Sequence, residues 1–208
     1  MKPIQYYEGV WSRCDQLQSL FLYLNSNTSS VVDLSDLLRA EWSMRVSALD
    51  LYVHELVAQN MLSIFQGNRA ICDGFQRYKL KASTLLRIRG SVNAFEVDNA
   101  FDLDVREYLS ALTFQRSNSI ADGVRMISPI VLWDAVCQIL GADGRSLKNM
   151  KQDIKSQLDL ICDRRNKIVH EGDLNNTFPR GLRPVARGEV DFVKMHIDRI
   201  VRAIDSCV

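Results

Sequence analysis

"DLSDLLRAEWSMRVSALDLYVHELVAQNMLSIF", residues 33–65, decides the fold. Apolar side chains recur at Leu38, Trp42, Leu49, Val53 and Leu56, a helical spacing, and no Gly or Pro interrupts before Gly67. Asp33 stands where an N-cap is expected. A helix of about thirty residues is long enough to be the spine of a bundle. Arg45 falls on the apolar side near Leu49 and Leu56, where an unpaired charge is costly, so a buried partner or a snorkelling path is expected.

Helical patterns surround this spine. The first runs from about Ile4 to Leu24, with Val10, Leu17, Leu20, Phe21 and Leu24 on one side, and "NSNTSS" ends it. Residues 68–100 are less regular, and "GSVNAF" reads as a loop between elements. Shorter helices are expected over Asp104–Gln115, Ser119–Ile127 and Pro129–Leu140, the last with proline at its start and Gly141 after its end. Another covers Ser146–His170, with Leu147, Met150, Ile154, Leu158, Ile161, Cys162 and Val169 inward, and Gly172 is placed to cap it. Two prolines and three arginines make residues 173–187 a surface loop, and a final helix spans Glu189–Asp205. Nothing alternates long enough for a sheet. The expectation is an all-α bundle of six to eight helices around one long central helix, in a single domain over residues 1–208.

Composition narrows the function classes. With 47% hydrophobic and 25% charged residues the 208-residue chain is an ordinary globular protein, too apolar for disorder. Its net charge of +1 means that a polyanion would be held by a local patch. No apolar run is long enough to span a bilayer, and "MKPIQYYEGV" lacks the apolar core of a signal peptide, so a cytoplasmic location without membrane association is expected. The five cysteines are scattered and never in CxxC spacing, which favours reduced, mostly buried thiols. The three histidines lie far apart, and no Asp/Glu spacing suggests ligands; neither metal nor cofactor is expected.

The chemistry concentrates in "DRRNKIVHEGD", residues 163–173. Asn166 and His170 are four apart, one turn above the other on the same helix face, and the side chain of Arg165 can curl toward them. A helix C-terminus attracts a cation, histidine exchanges protons near neutral pH, and a guanidinium can grip a phosphate. Basic residues followed by His and Gly also end helices with no further role, and the spacing alone does not decide between the two.

Together these segments resemble the HEPN superfamily. "RRNKIVHEGD" is similar to its R-x4-6-H motif in the RN-x3-H form, and "LSDLLRAEWSMRVSALDLYVHELV" (34–57) and "LTFQRSNSIADGV" (112–124) look like the RiboL-PSP type of HEPN domain. The resemblance implies an all-helical domain that pairs with a second copy across a cleft, and many such proteins are metal-independent endoribonucleases of toxin or phage-defence systems. Carried over, Arg165 and His170 match the catalytic pair, Asn166 the polar residue after the arginine, and Arg164 is an added basic neighbour. Toxins paired with a nucleotidyltransferase antitoxin often carry tyrosine two residues after the histidine; Gly172 stands there instead. The implied partners are an RNA substrate, a second copy in a homodimer, and an antitoxin or defence protein. The alternative is a non-catalytic HEPN module that binds RNA or protein and uses the arginines only as contacts.

Other residues are weighed beside these. Arg39, Ser43, Asp50 and His54 fall within a sector of about 60° on the long helix. They are either further cleft residues or a solvated, hydrogen-bonded face. Arg180, Arg183 and Arg187 are candidates for RNA backbone contacts, or only a solubilising loop surface. His196, between Lys194 and Asp198, reads as a surface residue.

Overall fold

The structure, a computed structural model, describes residues 1–29 and 32–208. Among them are nine helices: α1 (Pro3–Asn27), α2 (Ser35–Phe65), α3 (Asp73–Gln76), α4 (Ala82–Gly90), α5 (Ala94–Ser110), α6 (Ser117–Arg125), α7 (Leu132–Ile139), α8 (Leu147–Glu171) and α9 (Arg187–Cys207). The only β-type pairing among the described residues is an isolated bridge between Leu174 and Leu182. The fold is an all-α bundle.

α2 is the spine. α1, α5, α6, α8 and α9 pack around it, and for that reason it is buried on nearly every side. Leu38, Trp42, Leu49, Val53 and Leu56 lie in the core as their spacing requires. Asp33 acts one residue ahead of the cap: its Oδ1 accepts from the Ser35 amide at 2.9 Å, while Leu34 is the N-cap. Charges inside this packing are paired. Arg45, with no exposure, donates to Glu41 at 2.6 Å and Asp15 at 2.9 Å and lies over the Trp11 ring at 4.4 Å.

α1 differs from its expected stripe. Tyr7, Trp11 and Cys14 are its buried residues, Val10 and Phe21 pack only partly against the core, and Leu20 is exposed. The polar tip of Tyr7 disguised its role: the ring stacks on Trp11 while the hydroxyl donates to Asp198 at 3.1 Å.

Residues 68–100 hold α3, α4 and the start of α5, which brings the helix number above the expected six to eight. α5 begins ten residues before Asp104 and stops at Ser110. Its cap was inside the supposed loop: the Asn93 side chain accepts from the Glu96 amide, with Glu96 three residues on. Phe101 of α5 stacks on Phe65 at 4.0 Å, and its Asp104 accepts from Tyr78 at 2.5 Å and Thr84 at 2.6 Å. α3 lies against α6 so closely that a Cβ on Gly74 would sit 1.8 Å from the Arg125 carbonyl oxygen.

α7 starts at Leu132, with Val131 as N-cap, so Pro129 precedes the helix. α8 follows its expected range, and Ile154, Leu158, Ile161 and Cys162 are buried. Its inward side ends on Ile168, seven after Ile161 and so in phase; Val169, 100° round the axis, is exposed. Gly172, at φ 62°, closes α8 in a left-handed C-cap.

Candidate active site at the end of the eighth helix

α8 is fixed along its length by polar contacts as well as apolar ones. The Trp42 indole donates to the Ile161 carbonyl at 3.1 Å, and the Cys162 thiol donates to that of Gln115 at 3.0 Å. Asp159 accepts from the Ser117 amide at 2.8 Å and hydroxyl at 2.9 Å, and Arg116 pairs with Asp163. Asp50 of α2 accepts from the Phe114 amide at 2.5 Å and from Gln115 at 3.2 Å. His54 stands 3.6 Å from Asp50 with its ring edge-on to Phe114. Asp50 thus binds the α5–α6 connection, His54 packs on its Phe114, and both side chains keep part of their surface open to solvent.

Beyond His170 the chain turns through two left-handed residues, Gly172 and Asp173 (φ 55°). Asp173 is wholly buried. Its Oδ2 accepts from Arg39 Nε at 2.9 Å and Arg164 Nη2 at 2.7 Å. Its amide donates to the Lys167 carbonyl, and its own carbonyl accepts from the Arg183 amide, each at 2.9 Å. Arg39 also donates to the Arg183 carbonyl at 2.7 Å, and Arg164 to that of Pro184 at 3.0 Å. One carboxylate thus joins the start of α2, the end of α8 and the following loop.

The four basic side chains around this helix end divide sharply. Arg39 and Arg164, expected among the cleft residues, spend their guanidinium groups inward on Asp173. Arg165 has no carboxylate at ion-pair distance among the described residues; its Nη1 donates to Asn166 Oδ1 at 3.2 Å, and its Nε is buried without a partner. His170 is exposed and makes no hydrogen bond among the described residues. The other buried polar side-chain atoms without partners among the described residues are Ser43 Oγ, Arg45 Nη1, Arg164 Nε, Asp173 Oδ1 and Arg183 Nε.

The expected RNA-contact arginines separate in the same way. Arg180 is exposed in the loop, and Arg183 is half-buried with its backbone in the clamp. Arg187 lies in the first turn of α9, where it pairs with Glu41 and Asp191, which corrects its placement in the loop. Glu41 has no exposure, and a lone buried carboxylate needs both Arg45 and Arg187.

His196 is buried as well, contrary to the surface expectation. It contacts the Ile154 carbonyl at 3.3 Å and stacks on Phe192, and burial pushes its pKa below the usual histidine range. Its position three after Val193 and four before Ile200 is in phase with the apolar stripe, which the flanking Lys194 and Asp198 concealed. Asp173 and Glu41 were not singled out in the sequence. The available signals were an acid directly after the capping glycine, and an acid four residues before Arg45.

Among the described residues no group of three or more His, Cys, Asp or Glu side chains is placed to hold a metal ion. The five cysteines are free, and among the described residues no helix is long and apolar enough to cross a membrane. A cavity of about 910 Å³ between α3, α6, α7 and α8 includes none of the motif residues.

Fold and site define a helical domain with an arginine–asparagine–histidine segment at the end of a core helix. The chain belongs to the RiboL-PSP-HEPN family, whose model matches residues 12–207. A search of curated proteins and one of solved structures gave no match. HEPN membership is consistent with RNA cleavage or RNA binding, and the family has catalytic and non-catalytic members.

Proposed function

We propose that the chain, acting as one domain over residues 1–208, is a metal-independent endoribonuclease of toxin or phage-defence type. One observation carries the reading: of two adjacent arginines, Arg164 is neutralised by a buried carboxylate, whereas Arg165, a turn and a half before the exposed His170, has none. A guanidinium without a protein carboxylate is available to a phosphate.

In this mechanism His170 takes the proton from a ribose 2′-hydroxyl. The oxygen attacks the adjacent phosphorus, the bond to the 5′-oxygen breaks, and the products are a 2′,3′-cyclic phosphate and a 5′-hydroxyl. Arg165 stabilises the charge that builds on the phosphorane oxygens, and Asn166, through its oxygen, holds the guanidinium in place. RNA is the substrate because DNA lacks the attacking hydroxyl. A second copy, paired about a two-fold axis, supplies the acid that protonates the leaving oxygen. An antitoxin or defence partner would restrain the activity in the cytoplasm.

Incubating the purified chain with RNA in EDTA and analysing the ends tests this reading. Cyclic phosphate ends lost in His170→Ala support it. A folded wild-type chain that binds RNA without cutting it, or that needs a divalent ion, overturns it, the first in favour of a binding module. Mixing Arg165→Ala with His170→Ala chains under exchange asks further whether one centre draws on both copies.

A further inference from the structure

The loop after the motif holds one aromatic ring clear of the protein. Phe178, at its tip, is 100% exposed. Single exposed apolar side chains are ordinary on a surface, but this one stands on a hydrogen-bonded frame. Asn175 Oδ1 accepts from the Thr177 amide at 3.3 Å, the Thr177 hydroxyl at 2.8 Å and the Gly181 amide at 3.1 Å, and the Asn175 amide donates to the Gly181 carbonyl at 2.9 Å. Beneath that turn Leu174 is bridged to Leu182, and the Arg183 amide donates to the Asp173 carbonyl. A tip ordered in advance gives up little freedom when a ligand covers it.

The frame begins at the motif itself. Asp173, three residues after His170, donates its amide to the Lys167 carbonyl, so the base of the loop and the last turn of α8 form one hydrogen-bonded unit. Five residues of chain reach at most about 18 Å, which bounds the separation of the Phe178 and Asp173 backbones. From Leu174 to Gly188 the loop has no carboxylate. Of its three arginines only Arg187 is paired with acids among the described residues, namely Glu41 and Asp191. The acids beside the loop are Asp173, buried against Arg39 and Arg164, and Glu171, exposed and about 100° round α8 from His170.

We infer that Phe178 stacks on an unpaired base of single-stranded RNA lying across the motif, an inference that rests on the reading of the motif as an RNA site. Every base has a face on which an aromatic ring can stack, so the contact tolerates sequence. It does not tolerate a duplex: in an A-form helix the bases are stacked on one another, and a ring at a loop tip finds no open face. Arg180, two residues on and exposed, takes a phosphate of the same strand. A docked protein is the poorer occupant, because the residues beside Phe178 in the tip, Asn176, Thr177, Pro179 and Arg180, offer it little apolar surface. Phe178 therefore selects single strands for the motif.

The test measures binding of a 2′-O-methyl oligoadenylate of about 15 nucleotides, which lacks the attacking hydroxyl, alone and annealed to its 2′-O-methyl uridylate complement. Phe178→Ala and Phe178→Leu are expected to bind the single strand at least about tenfold more weakly than wild type, and Phe178→Trp to restore affinity. Trp11, Trp42 and Trp133 are buried, so the emission of the added tryptophan reports on the tip, and it should be quenched by the single strand and not by the duplex. Full exposure of Phe178 leaves the fold of each variant intact, and matching thermal melts verify this. Binding by Phe178→Leu as tight as wild type would show an apolar contact and not a stack, and overturns the proposal. So does duplex binding as tight as that of the single strand and equally dependent on Phe178, or an oligomeric state in sedimentation that changes in Phe178→Ala while its affinity for the single strand does not. A wild-type chain that binds the single strand through Phe178 and cuts no RNA supports the stack and overturns the nuclease reading alone. A wild-type chain that cuts RNA no better than Phe178→Ala at limiting enzyme overturns the stack alone.

Discussion

Asp173 Oδ2 accepts from Arg164 Nη2 at 2.7 Å, and the carboxylate has no exposure to solvent. The same oxygen serves Arg39, so removing it takes the one buried carboxylate from two guanidinium groups at once. Asp173→Ala should lower stability by about 3 to 5 kcal/mol, as expected when one partner of a buried pair is deleted. Urea unfolding measures this, and a loss below about 1 kcal/mol would show that the pairs act like surface ones.

The neighbouring arginines should part company under mutation. Arg165→Ala is expected to reduce RNA cleavage by about 10² to 10³-fold, with stability changed by less than about 1 kcal/mol. Arg164→Ala is expected to show the reverse order of effects, with its larger change in unfolding free energy. Single-turnover cleavage and urea midpoints on both variants check the contrast; equal effects on cleavage would remove the distinction between a committed and an available cation.

His196 gives the fold a pH dependence whose sign is fixed by its burial. Desolvation lowers its folded-state pKa, the Ile154 carbonyl opposes the shift, and the Arg199 charge adds to it. The unfolded chain therefore binds more protons just below the ordinary histidine pKa. This contribution to stability is intact above about pH 6.5 and declines as pH falls from there toward the folded pKa, by at most about 1.4 kcal/mol per unit. Comparing urea midpoints of wild type and His196→Gln across pH 5 to 7 tests it, and parallel profiles would exclude His196 as the source.

Gly172 should tolerate a side chain sterically but not conformationally. A Cβ there meets nothing within 4 Å, yet φ is 62°. Gly172→Ala should cost about 1 kcal/mol from backbone strain alone. Thermal melts read the loss, and an unchanged midpoint would contradict it.

The long central helix was legible because its apolar spacing ran uninterrupted and its own packing obeys that spacing. α8 and its glycine cap were legible for the same reason. The start of α5 was not, because Asn93 and Glu96 form a helix start that resembles a turn when the surrounding segment is short of buried apolar residues. At the site, periodicity located Arg165, Asn166 and His170. It could not separate Arg164 from Arg165, since the difference between them is made by Asp173, Arg39 and the path of a loop that returns over the helix. Arg187 was misplaced because Pro184 and Gly188 on either side read as loop, and His196 because Lys194 and Asp198 stand two residues to either side of it; their neighbours in space are a buried carboxylate and a core carbonyl.

The exposed tip of the loop after α8, residues 176–180, is held at its base by backbone bonds from Asp173 and Asn175, while α9 beyond it is anchored by Val190, Val193, Ile197, Ile200 and Ile204. Covalent continuity at the tip is therefore dispensable to the assembled molecule. Residues 1–178 and 179–208, coexpressed as separate chains, should copurify as a reconstituted whole, with the C-terminal fragment acting as a detachable wedge whose loss opens the bundle. Failure of the two pieces to associate would mean that the tether, and not the buried face of α9, holds the last helix in place.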